Sequence, residues 1–430
     1  MNLNDLIDAV SKHAAIRRRQ ILQPVGGKGD KIFPPTYPGD GKNAPPRHVF
    51  EKRRIADREV WCVLVDSVQS QANRLEESLL DAVRNGVTIP HVVVDFSGSN
   101  LAGVTQITSL DAPHRVYDAI LRDSLTTGTQ PQKFMESENG KKLAAASLKD
   151  ASALLEISPN ALLFGAWHST GQGGGLGAKF ARVLISEIVA IEVPIEEVVN
   201  RRTGEVSVST SGRRTGSRVD PLGVMKDVKI YRSAENENEW TPIEAKAAKD
   251  DRGNAILLPT KSGKPGRPSI INHGNVTPNF QQLGITCNHL EHTFVLSFAA
   301  LRRLRFGGSL EKDAAGRALL AALGLLALTE QDARGYALRS RCDLVCDGAS
   351  PLELVHADGS VDPKQSVNLD SKTARELYEE AVDVAKKKGF SLSAKTELRP
   401  QEKLVEIVRK SQELALSGAG EEGDDDGAGS

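Results

Sequence analysis

The chain has 430 residues, 26% of them charged and 39% hydrophobic, and a formal net charge of −1. That length allows two or three domains, or one domain with large insertions. No apolar run approaches the roughly eighteen residues of a membrane span, and a charge near zero excludes recognition of a polyanion through bulk charge, so any such partner must meet local patches.

The N-terminus, with Asp5, Asp8 and Lys12 framing a short apolar stripe, reads as an amphipathic helix rather than a signal peptide, and a cytoplasmic protein is expected. Residues 12–58 carry twelve Lys or Arg against four acids, and residues 24–46 are too rich in Pro, Gly and Lys for a regular element. A strand at 60–65, a polar turn at 66–71, a helix bearing Ala72, Leu75, Leu79 and Val83, and a strand at 91–96 follow, with Ser67 or Ser70 as the helix cap. Residues 98–160 form an insertion with short helical pieces, including 141–155.

Residues 161–180 run from an apolar, strand-like segment into a loop with five glycines between Gly171 and Gly177. A helix is then expected with Phe180, Val183, Leu184, Ile188 and Ile191 on one face. Such a loop, with Lys179 in the first turn of the helix, has the form of a phosphate cradle. It is not a P-loop, because Gly177 is followed by Ala178 and Lys179 rather than Lys-Ser/Thr. A dinucleotide fingerprint can be laid over Gly173, Gly175 and Ala178, but Glu192 is too early to be its ribose ligand. A longer phosphate backbone remains the better fit.

A second basic stretch, 201–232, has eight Lys or Arg against three acids. It opens a basic insertion, 200–275, whose expected hairpin alternates over 205–210, turns at Ser211-Gly212 and continues through Arg213, Arg214 and Arg218. A strand at 293–298, a helix at 310–328 and a strand at 336–346 form a third unit, with Arg302, Arg303 and Arg305 after the first strand. Cys62, Cys342 and Cys346 are expected as core thiols, the last two on one side of a strand. Cys287, His289 and His292 form a metal-like cluster without a second ligand pair of the right spacing. After Phe390 comes a last helix with Leu404, Ile407 and Val408, then an acidic tail, 416–430, expected to be disordered.

These βα repeats with antiparallel options predict an α+β fold, a ferredoxin-like or RNA-recognition-motif core with large insertions. Aromatic residues are only 4% of the chain, and no RNA-recognition signature strand is present. Binding through backbone phosphates, with little regard to base identity, is therefore expected.

Three runs carry a resemblance: residues 66–76 (DSVQSQANRLE), 164–169 (FGAWHS) leading into the glycine loop, and 338–344 (LRSRCDL). Together they resemble the CRISPR-associated RAMP protein that forms the guide-binding backbone of type I-G (formerly type I-U) Cascade, over roughly residues 1–410. The resemblance implies a palm from 1–97, 161–199 and 276–415, helical fingers from 98–160, and a β-hairpin thumb from 200–275. It also implies a non-catalytic role, without cofactor or metal, in which copies stack head to tail along a CRISPR RNA. The implied partners are that RNA, further copies of the chain, a large subunit, a guide-processing and capping subunit, target DNA pairing with the guide, and a recruited helicase-nuclease. Carried onto this sequence, the guide contacts would come from Ser67, Gln69, Ser70, Gln71, Asn73 and Arg74 on the palm. Further contacts would come from Trp167, His168, Ser169, Thr170, Gly171, Gln172, Gly173, Gly174 and Lys179 along the loop, and from Arg201, Arg202, Arg213, Arg214 and Arg218 on or beside the thumb. Arg302 and Arg303 face either RNA or a neighbouring subunit. The rival readings are a type III-like ribonuclease using Asp66 or Asp111, and a nucleotide-binding enzyme.

Overall fold

A computed structural model describes residues 1–39, 46–168, 179–199, 204, 206–236, 238–259 and 264–416. The chain divides into two compact units, one made of Met1–Ser211 with Gly284–Val405, the other of Gly212–Leu283 with the chain from Glu406 onward.

The first unit begins with helix α1 (Leu3–Lys12), closed at its start by a capping box in which Asn2 and Asp5 bond each other's backbone N–H. Strand β1 (Ala15–Pro24) alternates, turning Ile16, Arg18, Gln20 and Leu22 inward and Arg17, Arg19 and Ile21 outward. Strands β2 (Phe50–Ile55) and β3 (Arg58–Asp66) form a hairpin. Its two turn residues, Ala56 and Asp57, have φ of 47° and 64°, the left-handed pair that matches strand twist. Helix α2 (Val68–Arg84) follows, with the Ser67 hydroxyl accepting from the Ser70 N–H at 3.2 Å.

Strand β4 (His91–Asp95) does not return to β3. It lies in a second, four-stranded sheet between β5 (Gln106–Thr108) and a strand from the far end of the chain. Short elements β6 (Ser124–Thr126) and α3 to α6 (Ala119–Arg122, Glu138–Ala145, Ser152–Ile157, Asn160–Phe164) fill the insertion. The helix expected over 141–155 is thus two helices. The apolar run at 161–164 is helical rather than extended.

Beyond it come β7 (Ala166–Trp167), β8 (Lys179–Phe180) and β9 (Leu184–Ile191). The helix expected after the glycine loop is therefore a strand. Ile188 to Ile191 are all buried, so the apolar run satisfies both a helical and an extended period. The β-branched Ile185, Ile188, Val189 and Ile191 then favour the sheet, where β9 is paired on both edges. Without that helix there is no helix dipole behind the glycine loop.

Strands β10 (Ile195–Val199) and β11 (Val206–Thr210) pair with each other. In the second unit, β12 (Arg214–Arg218) pairs with β15 (Val276–Gln281), and β13 (Tyr231–Arg232) with β14 (Trp240–Thr241). The hairpin expected to turn at Ser211-Gly212 is absent, because its two arms take different partners. Most of 200–205 and all of 417–430 lie outside the described residues.

Strand β16 (His289–Ser297) leads through α7 (Phe298–Leu301) to α8 (Leu310–Arg334), then β17 (Tyr336–Ala337), β18 (Asp343–Cys346), β19 (Glu353–Val355), α9 (Ser371–Lys387), β20 (Lys395–Pro400) and α10 (Glu402–Leu416). The strand expected over 336–346 is the hairpin β17–β18, which leaves Cys342 buried and Cys346 exposed. Helix α9 was not foreseen by the sequence pattern. It packs on α8, where Arg375 holds Glu330 through two bonds of 2.6 and 2.7 Å. Strand β20 completes the second sheet, parallel to β4 and antiparallel to β6.

The main sheet has the order β17-β18-β1-β16-β9-β3-β2, antiparallel throughout, with β19 also on β1. Four of these strands and two helices follow the chain order β1–α2–β9–β16–α8–β18 and the spatial order β18-β1-β16-β9. That is the βαββαβ arrangement of a ferredoxin-like palm, here with inserted helices and a second sheet. Helix α8 touches α1, α2 and α9, and a Cβ on Gly324 would lie 3.1 Å from Leu184 and 3.5 Å from Leu296, so it is surrounded. This explains why α8 is apolar nearly all round rather than striped.

Arg302 belongs to this packing. Its guanidinium donates 2.7 Å bonds to the carbonyls of Val10 and His13, closing the C-terminal end of α1. Arg302→Ala should lower the unfolding free energy by about 2 kcal/mol, read from urea midpoints. Arg303 is exposed.

Candidate nucleic-acid interface

The 66–76 run folds around a buried carboxylate. Asp66, fully buried at the end of β3, accepts from Ser70 Oγ at 2.7 Å, Gln71 Nε2 at 2.7 Å and Arg74 Nε at 2.9 Å. Arg74 also donates to the carbonyl of Leu338 at 2.7 Å. Gln71 is itself fully buried, and its Oε1 accepts from Gln331 Nε2 at 3.2 Å. Ser70, Gln71 and Arg74 therefore tie β3, α2 and the β17–β18 hairpin together, and Gln71 is out of reach of any ligand. Only Gln69 and Asn73, one turn apart on α2, are exposed. Asp66 is equally unsuited to hold a catalytic metal, and Asp111 receives the Thr108 N–H at 2.5 Å within a turn.

The open face of the main sheet, where RNA-recognition folds stack bases, presents Arg17, Arg19 and Ile21 on β1 and Glu291, Thr293 and Val295 on β16. No Phe, Tyr or Trp stands among them. Arg17 is paired with Glu353 at 2.7 Å, and Arg53 on β2 with Glu187 at 2.8 Å.

A different surface fits a polyanion better. Where α6 passes into β7, Gly165 takes φ +85°, and a Cβ there would fall 3.1 Å from Phe180 O and Arg182 Cγ. This close approach brings β7 and β8 together as a two-stranded ribbon that pairs Trp167 with Lys179. Trp167 is 55% exposed, and Lys179 Nζ stands 5.5 Å from its ring centre. The ribbon borders an open cleft of about 540 Å³ that is also lined by Arg115, Arg122 and Arg182. None of its described lining residues is acidic.

The floor of the cleft is electrostatically fixed. Arg115 is buried and grips Glu76 of α2 through bonds of 2.7 and 2.8 Å, while Asn160 Nδ2 donates to the same carboxylate at 2.7 Å. The third arm of Arg115 reaches Gly165 O at 3.0 Å. Arg182 donates to Phe164 O at 3.1 Å. Burial, and then the nearby Arg115, lower its pKa from the ordinary arginine value, which still leaves it cationic at any working pH. Among the described residues neither Lys179 nor Arg182 has a carboxylate partner, so both cations are available to a ligand. His168 lies just inside, stacked on Tyr117 with ring centres 4.7 Å apart, and burial lowers its pKa. It is a neutral, packed ring.

Sequence reasoning placed Trp167, His168 and Lys179 here but missed Arg115 in a 3-10 turn, Arg122 at the end of α3 and Arg182 between β8 and β9, which stand singly and carry no local signature. Residues 169–178, with Ser169, Thr170, Gly171, Gln172, Gly173 and Gly174, lie outside the described residues, as do Arg201 and Arg202. In the second unit Arg214 is exposed on β12, Arg213 Nη1 donates to Gly212 O at 3.0 Å, and Arg218 donates to His273 O and Gly274 O at 2.9 and 3.0 Å.

The metal-like cluster disperses, because His289 and His292 have opposite faces of β16. His292 is fully buried, and burial pushes the Cys287 thiol up to about 12. No group of three or more potential metal ligands occurs among the described residues, and none of their helices is long and apolar enough to cross a membrane.

No curated protein matches the chain. Residues 16–195, which include β1, α2, the second sheet's first strands, the cleft and β9, match the sequence model of the family described as CRISPR-associated protein GSU0053. Over those residues, fewer than half of the chain, the protein is similar to a CRISPR-associated family.

Proposed function

We propose that the chain is a non-catalytic, CRISPR RNA-binding backbone subunit of a type I-G Cascade, repeated head to tail along the guide in the cytoplasm. The observation that carries this reading is the cleft, where Lys179 and Arg182 stand without carboxylate partners among the described residues, beside an exposed Trp167. Cations and main-chain groups would hold guide phosphates, which carry no sequence information, and leave the bases free to pair with a DNA target. Contacts between successive copies are heterologous and non-closing, which suits a filament on one RNA. The further partners would be a large subunit, a guide-processing and capping subunit, and a recruited helicase-nuclease.

The test is native mass spectrometry of the protein co-expressed with a CRISPR array and its neighbouring genes. Several copies on one spacer-containing RNA are expected; a nucleic-acid-free species carrying a small nucleotide would overturn the reading. On purified protein, Lys179→Ala with Arg182→Ala should lower the log–log salt slope of single-stranded RNA binding by about 1.4, at roughly 0.7 per phosphate released. Trp167→Ala should cost about 1–3 kcal/mol of affinity if a base stacks there.

A further inference from the structure

The LRSRCDL run at 338–344 has no place in the cleft, yet it builds a second cationic surface. Residues 339–341 are the exposed turn of the β17–β18 hairpin, fixed by Cys342 N–H to Arg339 O at 2.8 Å. The turn is latched to the long β1–β2 connection through the Phe33 N–H, which donates to Arg341 O at 3.0 Å. Arg341 has φ +58°, a region that suits Asn or Gly and that arginine rarely adopts. Its guanidinium lies 5.0 Å from the Phe33 ring centre, and Lys31 Nζ stands 5.4 Å from the same centre. The ring is in turn backed closely by Gly284, where a Cβ would fall 2.9 Å from it. A guanidinium lying on an aromatic ring is held in orientation while its edge N–H donors stay free for two oxygens at once. Among the described residues neither Arg339 nor Arg341 forms an ion pair. The nearby Arg339 also lowers the pKa of buried His48, after desolvation.

We propose that Arg339 and Arg341, the latter braced on Phe33, form a second RNA-phosphate site on the palm. This rests on the RNA-binding reading above and adds a contact outside the cleft. An arginine kept in a left-handed position that Asn would fill more comfortably is there for its side chain, and an exposed pair of unpaired guanidinia is the donor set of a phosphodiester backbone.

The test is filter binding of the full chain to a single-stranded RNA over a salt series, with thermal unfolding in parallel. Arg341→Asn relieves the backbone and should leave the unfolding midpoint unchanged or raised. Combined with Arg339→Gln, it should lower the salt slope by about 1.4, which corresponds to about 25-fold weaker binding at 0.1 M salt and no difference toward 1 M. Arg339→Gln alone changes no left-handed residue and should take half of that slope, so the inference stays testable if the Asn variant is unstable. Unchanged affinity and slope in these variants, with binding lost in the Lys179/Arg182 variant, overturns this site and leaves the cleft standing. Failure of the wild-type chain to bind RNA overturns both.

Discussion

Glu76→Ala should reduce the unfolding free energy by about 3–5 kcal/mol, the range found when one partner of a buried ion pair is removed. Glu76 is 3% exposed and Arg115 9%, so water cannot replace the lost carboxylate, and Asn160 Nδ2 loses one of its two acceptors, keeping Ser109 O. The cost arises chiefly from the guanidinium left buried without a counter-charge. Arg115→Ala combined with Glu76→Ala should therefore recover part of the loss, a coupling that a double-mutant cycle reads directly. Glu76→Ala should also weaken the RNA binding proposed for the cleft, because Arg115 holds Gly165 O, from which the Trp167–Lys179 ribbon departs. Urea unfolding checks the first effect; a loss below about 1 kcal/mol would mean that Arg115 is not held by Glu76 in solution.

The palm was legible in the sequence where one period dominated. The α2 stripe of Ala72, Leu75 and Leu79 reads as it folds, because one face is buried and the other wet, and of the two candidate caps, Ser67 and Ser70, Ser67 is the one that caps it. β9 read as a helix because burial on both faces erases alternation; pairing with β3 and β16, each about a hundred residues or more away in the chain, decides its form. The partners of β11 and β12 were equally illegible, since strand propensity says nothing about which of several later segments supplies the edge. Of the candidate site, Trp167 and Lys179 stood in a conspicuous run, whereas Arg115 and Arg182 are brought to it only by the packing of α2 and α6. Arg302 and Gln71 had the composition of RNA ligands but serve the core, because a donor near a helix end or a buried carboxylate finds an acceptor inside the protein first.

A second large effect is expected with acid. His292 is fully buried at the centre of the palm, with Ser186 Oγ 2.7 Å from Nε2 and Tyr336 Oη 3.0 Å from Nδ1. With the imidazole neutral and its proton assigned to Nε2, the ring donates to Ser186 Oγ, which passes its own proton to Gln71 Oε1 at 2.9 Å, and the Tyr336 hydroxyl, 3.0 Å from Nδ1 and 2.5 Å from Asp332 Oδ1, is the donor facing both acceptors. The charged groups facing this chain are Arg18 and Asp332, which are paired with each other. Burial, with a smaller contribution from Arg18, lowers the His292 pKa from 6.5 to about 3. Below 6.5 the unfolded chain binds a proton that the folded one refuses, so stability falls with falling pH through this window and levels off once the pH reaches about 3. At 1.36 kcal/mol per unit the full loss is about 5 kcal/mol. Unfolding free energies measured by urea between pH 4 and 7 should show this slope in the wild type. In His292→Gln the contribution should vanish, leaving only that of the carboxylates; an unchanged slope would mean that the imidazole reaches water or carries its proton in the folded state.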